Sequence, residues 1–578
     1  MERPFVLFDD MRPGGAGCRL YEGAIGEIVA WSIEEVRPAL EALRAAKGAG
    51  RHLAGYLAYD ACYALEPKLW ALARHGDGPL LWFGIFEGFS SPAAPPLPDG
   101  AGGWTSRPVP RISRSDYLAG AEEVRDHLYA GDFYQANLTF GCDVTVLGDP
   151  LAAYARLRQR SRSGWAGVLR HPKGWLLSLS PEQFFTIRGR AIEAKPMKGT
   201  APRRGEPEPD RAEVSKLVAD PKQRAENMMI VDLLRNDLAR VAEAGSVEVP
   251  ELFCVESFPT VHQMVSRVTA KLREDVDPVT VLETLFPCGS ITGAPKLAAI
   301  QALRRLEHEP RGAYCGSMGW IDPNGDASFN VLIRTLELQD GNNVARLGLG
   351  SGLVVDSVLE DEWAECLLKG EFVAPDRQEF DLIETMKFDP HQGVIDLDRH
   401  LDRLKNAAAD FQFKFDRHAA RNELQAATFR RKDSAMVRLM LSPKGSIAIE
   451  VKELPQTPSG AVEVVVRPLP VDPSDYRLRY KTTAKDVLKQ VRRDADAFEA
   501  VFTDPEGRLT EGSYTNIFVE RDGKLLTPPL ERGLLPGLLR QRLIDEGHAE
   551  EHDLTPDDLR QGFLIGNMVR GLIKARLA

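Results

Sequence analysis

The sequence predicts a mixed α/β (α+β) protein of two successive domains, and three features carry that expectation. The chain has 578 residues, whereas single hydrophobic cores stop growing near ~250–300 residues. Strand-like runs alternate with helix-like ones along its whole length. Residues 371–379, polar and proline-containing, interrupt that alternation and read as a boundary, after which a second alternation begins. The expected domains are 1–372, with a core over about 113–370, and 380–578.

Composition narrows the function classes. Hydrophobic residues at 43% and charged residues at 27% suit a soluble protein with an ample core. A net charge of −11 without a basic stripe argues against nucleic-acid binding. The seven cysteines are scattered and contain no Cys-x-x-Cys, so they read as reduced thiols of a cytoplasmic protein. Met1–Asp10 shows no signal-peptide pattern, and no apolar run approaches a membrane span.

In chain order, an amphipathic helix is expected near Ile33–Lys47, and residues 90–103, rich in Pro, Gly and Ala, read as a surface connection within a domain. Ser113 to Asp116 caps a helix running to about Ala130, and a strand follows over 133–140. The run 184–194 reads as strand with a hairpin-type turn. It leads into Lys195-Pro196-Met197-Lys198-Gly199-Thr200, where Pro196 and Gly199 are expected to hold Lys198 on a tight turn. Asp220-Pro221 supplies an N-cap and first-position proline for a helix reaching Gly245.

Several residue types point to chemistry, each with a plainer alternative. Lys198 reads either as an exposed loop lysine or as a nucleophile of lowered pKa. Glu362 and Glu365 lie three apart on a helix-like segment; they form a solvated acidic face or, with Glu226, a Mg²⁺ site of oxygen ligands. Arg334, in an expected strand over 329–338, and Lys369 suit substrate carboxylates or ordinary ion pairs. Gly348-Leu349-Gly350-Ser351-Gly352 reads as a glycine-rich turn offering N–H groups to an anion. His262 is a structural histidine or an active-site partner.

Pro196-Met197-Lys198-Gly199-Thr200, Ala225-Glu226-Asn227, the run from Val231 to Asp237, Gly293-Ala294-Pro295-Lys296, and Asp356-Ser357 before Glu362-Trp363-Ala364-Glu365 stand in one order. Together they resemble the chorismate-utilising enzymes, over roughly residues 113–370. That resemblance implies a two-subdomain sheet-and-helix domain binding chorismate and Mg²⁺, the metal on Glu226, Glu362 and Glu365. Gln135 stands where water-adding members carry a lysine base, and Lys198 where anthranilate synthases usually carry alanine. Gln135 thus points to an aminating member, and Lys198 to the aminodeoxychorismate-forming branch (component I). By the same resemblance Lys198 attacks the ring at C2, Glu182 protonates the leaving hydroxyl and His262 is an active-site polar partner. Thr200, Ser290, Tyr314, Arg334, Gly350, Ser351, Gly352 and Lys369 contact substrate. No glutaminase region is visible, so ammonia is expected from a separate glutamine amidotransferase or free ammonium.

The second domain carries another set. Lys481 before Thr482-Thr483, Glu511 in Leu509-Thr510-Glu511-Gly512, and the helix start at Gly537, Leu538 and Leu539 supply an amine, an acid for a pyridine nitrogen and a phosphate cradle. With the run from Leu397 to Leu404 they resemble the fold-type IV enzymes of pyridoxal 5′-phosphate (PLP). The resemblance implies Arg403 on the phosphate, Asn516 in the cofactor site, Thr385 on the substrate side, and a homodimer through this domain. Leu539 replaces the usual threonine, leaving its backbone N–H. The two resemblances together imply 4-aminobenzoate synthesis; the alternative is an anthranilate synthase-like amination joined to a branched-chain or D-amino-acid aminotransferase-like domain.

Overall fold

The computed structural model describes residues 3–12, 14–74, 76–161, 163–257, 261–375, 380–484 and 486–578. The chain divides into two compact units, the first comprising Met1–Leu97, Arg107–Val144 and Tyr154–Ala374. Most of its strands fall in two large sheets. The sheets face each other through Val6, Leu169 and Leu176 on one and Tyr56, Trp82 and Trp320 on the other. The second sheet's other apolar residues, among them Leu53, Phe83, Phe185 and Phe329, pack with helices Ile33–Gly48, Pro221–Ala239 and Pro278–Leu285.

Local chemistry explains these elements. Helix Pro221–Ala239 starts where Asp220 accepts the N–H groups of Lys222 and Gln223 and proline fills the first position. Its buried stripe is Ile230, Val231, Leu234 and Leu238. It stops at Ala239, short of Gly245, because the N–H groups of Arg240 and Val241 close tight turns onto Asp237 and Leu238. Gly189, at φ 57°, makes the turn between strands Gln183–Arg188 and Ala191–Lys195.

Lys198 lies not on a tight turn but in strand Met197–Pro202, paired with Val261–Lys271 across a register shift between Met197 and Thr200. The bulge absorbs one extra residue, and Gly199 takes φ 88° there. Gly348 to Gly352 is likewise not a turn; it lies inside strand Val344–Leu353. A Cβ at Gly350 would stand 2.7 Å from the Leu138 carbonyl oxygen and one at Gly352 2.3 Å from Gln135 Nε2. These glycines permit close approach. The expected strand over 329–338 is broken: Ala327–Asn330 and Thr335–Gln339 belong to different sheets, and Arg334 sits between them at φ 51°.

The second unit comprises Pro98–Ser106, Thr145–Ala153 and Pro375–Ala578. Residues 98–103, the end of the segment expected to be a surface connection, belong to this unit, and Trp104 just beyond them is 2% exposed and packs edge-on to Phe411 at 4.9 Å between ring centroids. A four-stranded sheet carries Leu382–Asp389 at its interior, with helices Leu397–Asp410 and Arg417–Thr428 packed on it. An eight-stranded sheet includes the parallel pair Val462–Pro468 and Glu499–Thr503. Among the described residues, no helix is long and apolar enough to cross a membrane.

Candidate functional site

The first unit gathers a lysine, a protonatable glutamate and three further carboxylates. Glu182 is buried and accepts a hydrogen bond from the Ser290 hydroxyl at 2.6 Å. Burial raises its pKa, against the opposing pull of the Ser290 bond, Lys198 and Lys369. Lys198 shifts the other way: burial and the neighbouring Lys369 lower its pKa, while Glu226, Glu182 and Glu365 raise it, and the net is a reduction. A half-buried lysine of lowered pKa beside a buried glutamate of raised pKa has the chemistry of a nucleophile and a general acid.

The carboxylates come from two helices. Asn227, buried on helix Pro221–Ala239, accepts the Ser266 hydroxyl at 2.6 Å and so fixes the orientation of its neighbour Glu226. Burial and the negative charges of Glu362 and Glu365 raise the Glu226 pKa, while Lys198 and Lys222 lower it. On helix Leu359–Gly370, Glu362 accepts the Ser357 hydroxyl at 2.7 Å and Glu365 pairs with Lys369 at 2.8 Å. Among the described residues these carboxylates do not close into a three-ligand cation cluster. Half-buried and partly exposed carboxylates on two helices nevertheless have the donor chemistry of a Mg²⁺ site that keeps positions for water and substrate.

Around this group, Lys369 Nζ donates to the Gly350 carbonyl at 3.0 Å, and Ser351 shares a 3.0 Å hydrogen bond with the Tyr117 hydroxyl. A Cβ on Gly352 would stand 3.4 Å from Lys198 Nζ, which places that strand against the lysine. Gln135 is 2% exposed and its Oε1 is buried without a hydrogen-bond partner, an acceptor free for a ligand. Arg334 is desolvated, which lowers its pKa, and no ion pair offsets it among the described residues. A desolvated arginine at positive φ has the donor chemistry to receive an anion. The Tyr314 ring lies against Gly348, where a Cβ would be 2.0 Å from it. The Thr200 side chain is outside the described residues; its backbone pairs with Gln263.

His262 lies on strand Val261–Lys271, opposite Ala201 and next to the partner of Thr200. One ring nitrogen bonds the Ser257 hydroxyl at 2.8 Å and the other Asp210 at 2.9 Å, so the ring has no free nitrogen for acid–base work and ties helix Pro207–Ala219 to its strand. Gln263, not His262, is the residue the register sets across from Thr200. Sequence reading passed over Gln263, Lys222 and the helix Pro207–Ala219; of these, only strand alternation with Thr200 offered a signal, for Gln263. The motif residues Asp237 and Lys296 pair with each other at 2.8 Å, and Lys296 also donates to the Leu285 carbonyl, so they brace the scaffold.

In the second unit, the strongest feature is a buried cluster that short-range patterns did not show. Glu384, 2% exposed, takes two bonds from Arg403, both 2.8 Å, and one from His400 at 2.6 Å. Arg403, the residue expected on a phosphate, grips Glu384 and donates to the Pro536 carbonyl at 3.0 Å, beside the start of helix Leu538–Asp545. Any phosphate there meets a guanidinium already anchored. Asn516 donates to the Leu535 carbonyl at 3.4 Å, and its Oδ1 lies 1.8 Å from where a Gly537 Cβ would stand, so only glycine fits. Glu511 is buried and accepts the Leu535 N–H at 3.1 Å. Leu539 is buried and its side chain is apolar, so the only donor it brings is its backbone N–H. The Lys481 carbonyl accepts the Ile383 N–H at 2.9 Å, and its charge is felt at His400. Thr385 is half-buried opposite Arg438. Glu499, buried, accepts from Ser513, Tyr514 and Thr515 and pins the loop between Glu511 and Asn516.

Burial works against ionising Glu384, yet Arg403 and His400 hold its carboxyl well below the ordinary range. A depressed carboxyl stabilises above its unfolded pKa, near ~4.3, and that contribution is lost as pH falls towards the folded value. Replacing one partner of such a pair costs about 3–5 kcal/mol. Glu384→Gln should therefore lower the unfolding midpoint at pH 7 and flatten the fall in stability below ~pH 4, both read by denaturant titration across pH.

Residues 3–375 match the chorismate binding enzyme family, and residues 381–577 the amino-transferase class IV family. Over 254 residues the chain is 43% identical to aminodeoxychorismate synthase component 1 from Klebsiella aerogenes and from Escherichia coli K12, a stretch that is 44% of this chain and 56% of each relative. The match thus spans about half the length of those relatives. Anthranilate synthase component 1 of Methanothermobacter marburgensis is 34% identical over 379 residues, 60% of this chain and 81% of that relative. The crystal structure of anthranilate synthase component I from Streptococcus pneumoniae superposes with a TM-score of 0.53 at 22% identity, covering 64% of this chain and 92% of the other. That likeness concerns fold.

Proposed function

We propose, from the premise that the chain belongs to the chorismate binding enzyme family and joins it to a class IV amino-transferase region, that it converts chorismate to 4-aminobenzoate in two steps. The observation that carries the first step is the opposed tuning of Lys198 and Glu182. Neutral Lys198 attacks ring C2, the two conjugated double bonds shift along the ring, and the C4 hydroxyl departs as water with the Glu182 proton. Ammonia then adds at C4, the double bonds return, and Lys198 leaves C2; the Glu182 carboxylate takes the proton from the new nitrogen. Gln135 Oε1 is the spare acceptor for an N–H of that ammonia. Arg334 and Lys369 bind substrate carboxylates. Glu226, Glu362 and Glu365 would hold Mg²⁺, which neutralises substrate charge. Ammonia comes from a separate amidotransferase, in keeping with the component 1 relatives, or from ammonium.

In the second step PLP, when bound, supplies an electron sink. The residues present fit it: a buried acid, a lysine, a glycine that only glycine can fill, and a helix N-terminus beside Arg403. Lys481 removes the proton from the amine-bearing ring carbon, Glu511 holds the proton of the pyridine nitrogen, and loss of pyruvate leaves an aromatic ring.

The test is product analysis of the chain with chorismate, Mg²⁺ and ammonium. With PLP, 4-aminobenzoate and pyruvate should form; without it, 4-amino-4-deoxychorismate should accumulate. Anthranilate as the product would refute the reading. The pH profile offers a second check. Because Lys369 lowers the pKa of Lys198, Lys369→Met should move the rising limb of chorismate consumption to higher pH. An unmoved limb would separate Lys198 from that limb.

A further inference from the structure

Beyond the Lys198 site, the first unit holds a cavity of about 470 Å³ between helix Arg114–Ala130, strand Gln135–Leu147 and residues 305–314. Its volume suits a small-molecule site. Of the residues assigned above to substrate or catalysis, only Tyr314 lines it.

Most of its charges cancel internally. Arg111 pairs with Asp143 and Glu309, and Arg311, buried, pairs with Glu307 at 2.8 Å. Arg305, Asp116 and Glu123 make no ion pair among the described residues. Arg346 pairs with Glu309 at 3.4 Å and turns one nitrogen to the Pro310 carbonyl, while its Nε is buried without an acceptor, 3.6 Å from where a Gly141 Cβ would stand. An orphaned buried guanidinium N–H asks for an acceptor. The remaining wall is apolar and aromatic, with Tyr117, Leu138 and Tyr314.

We infer that this cavity binds an aminobenzoate-type ligand, its carboxylate at Arg305 and Arg346, its ring between Tyr117, Leu138 and Tyr314, and its amine towards Glu123. Occupancy reaches the catalytic group through Tyr117. The hydroxyl of that residue is bonded to Ser351, and its ring lies 5.1 Å from Trp363 on the helix that carries Glu362 and Glu365. A ligand of this chemistry is the product of the proposed reaction, so the regulatory meaning, product feedback, rests on that reading; the cavity's selectivity does not.

Calorimetric titration of the intact chain tests it, with 4-aminobenzoate, benzoate and aniline as probes and saturating chorismate present without ammonium. Gly120→Met is the filling variant: a Cβ there meets only Leu138, at 3.7 Å, and methionine favours helix over glycine. Arg305→Ala, an exposed change, guards against misfolding of the first. Expected is binding of 4-aminobenzoate that persists with chorismate, is at least about tenfold tighter than aniline, weakens about tenfold in both variants, and stays within about twofold in Lys198→Ala. Displacement by chorismate, aniline binding equally well, no binding of 4-aminobenzoate, or wild-type affinity in both variants would overturn the assignment. Binding with this pattern in a chain that fails to make 4-aminobenzoate would sink the feedback meaning and leave the site standing.

Discussion

Lys198→Ala is expected to lower ammonium-dependent chorismate consumption by about 10³-fold or more, the scale of losing a covalent nucleophile. Alanine removes the attacking amine and leaves the acid, Glu182, with no displacement to assist. The fold should tolerate the change, since Lys198 sits at a bulge whose conformation depends on Gly199 rather than on the lysine side chain. Conversion of supplied 4-amino-4-deoxychorismate to 4-aminobenzoate should stay within about twofold of wild type, because the Lys481 group lies in the other unit. Steady-state assays of the two half-reactions on one preparation decide it. Residual amination above about a tenth of wild type would mean that ammonia displaces the hydroxyl directly.

Lys481→Ala has the mirror expectation. Consumption of chorismate should persist within about twofold, and 4-aminobenzoate formation should fall by about 10³-fold, with 4-amino-4-deoxychorismate accumulating in its place. The variant has a spectroscopic readout as well: the absorbance of PLP bound through a lysine should disappear. Retained 4-aminobenzoate formation would remove Lys481 from the chemistry.

The residues that were legible in the sequence are those whose role depends on short spacing. Glu362 and Glu365 share a helix face because they are three apart, and the neighbourhood of Lys198 was visible because proline and glycine punctuate it. What was illegible depends on partners far along the chain. Glu384, His400 and Arg403 form one buried cluster across a strand and a helix, and the pattern that suggested a phosphate ligand could not show that a carboxylate already occupies Arg403. Glycine runs are ambiguous for a physical reason: the same residue permits a turn and permits two backbones to touch, and Gly350 and Gly352 serve the second purpose. His262 was drawn towards the active site by its position in a motif, yet Asp210 and Ser257 engage both its nitrogens. Residues 90–103 have loop composition, but Trp104 just beyond them supplies a core aromatic to the second unit, a contact across more than three hundred residues.

The covalent role of Lys198 is the claim on which the first step stands, and intact-protein and peptide mass spectrometry tests it most directly. The chain carrying Lys481→Ala would be mixed with chorismate and Mg²⁺ in the absence of ammonium, quenched in acid within one turnover, and digested. The account predicts a mass gain equal to chorismate less one water on the peptide containing Lys198, absent in the Lys198→Ala chain and discharged when ammonium is added before the quench. An unmodified Lys198 peptide in a sample that releases product as soon as ammonium is supplied would contradict it.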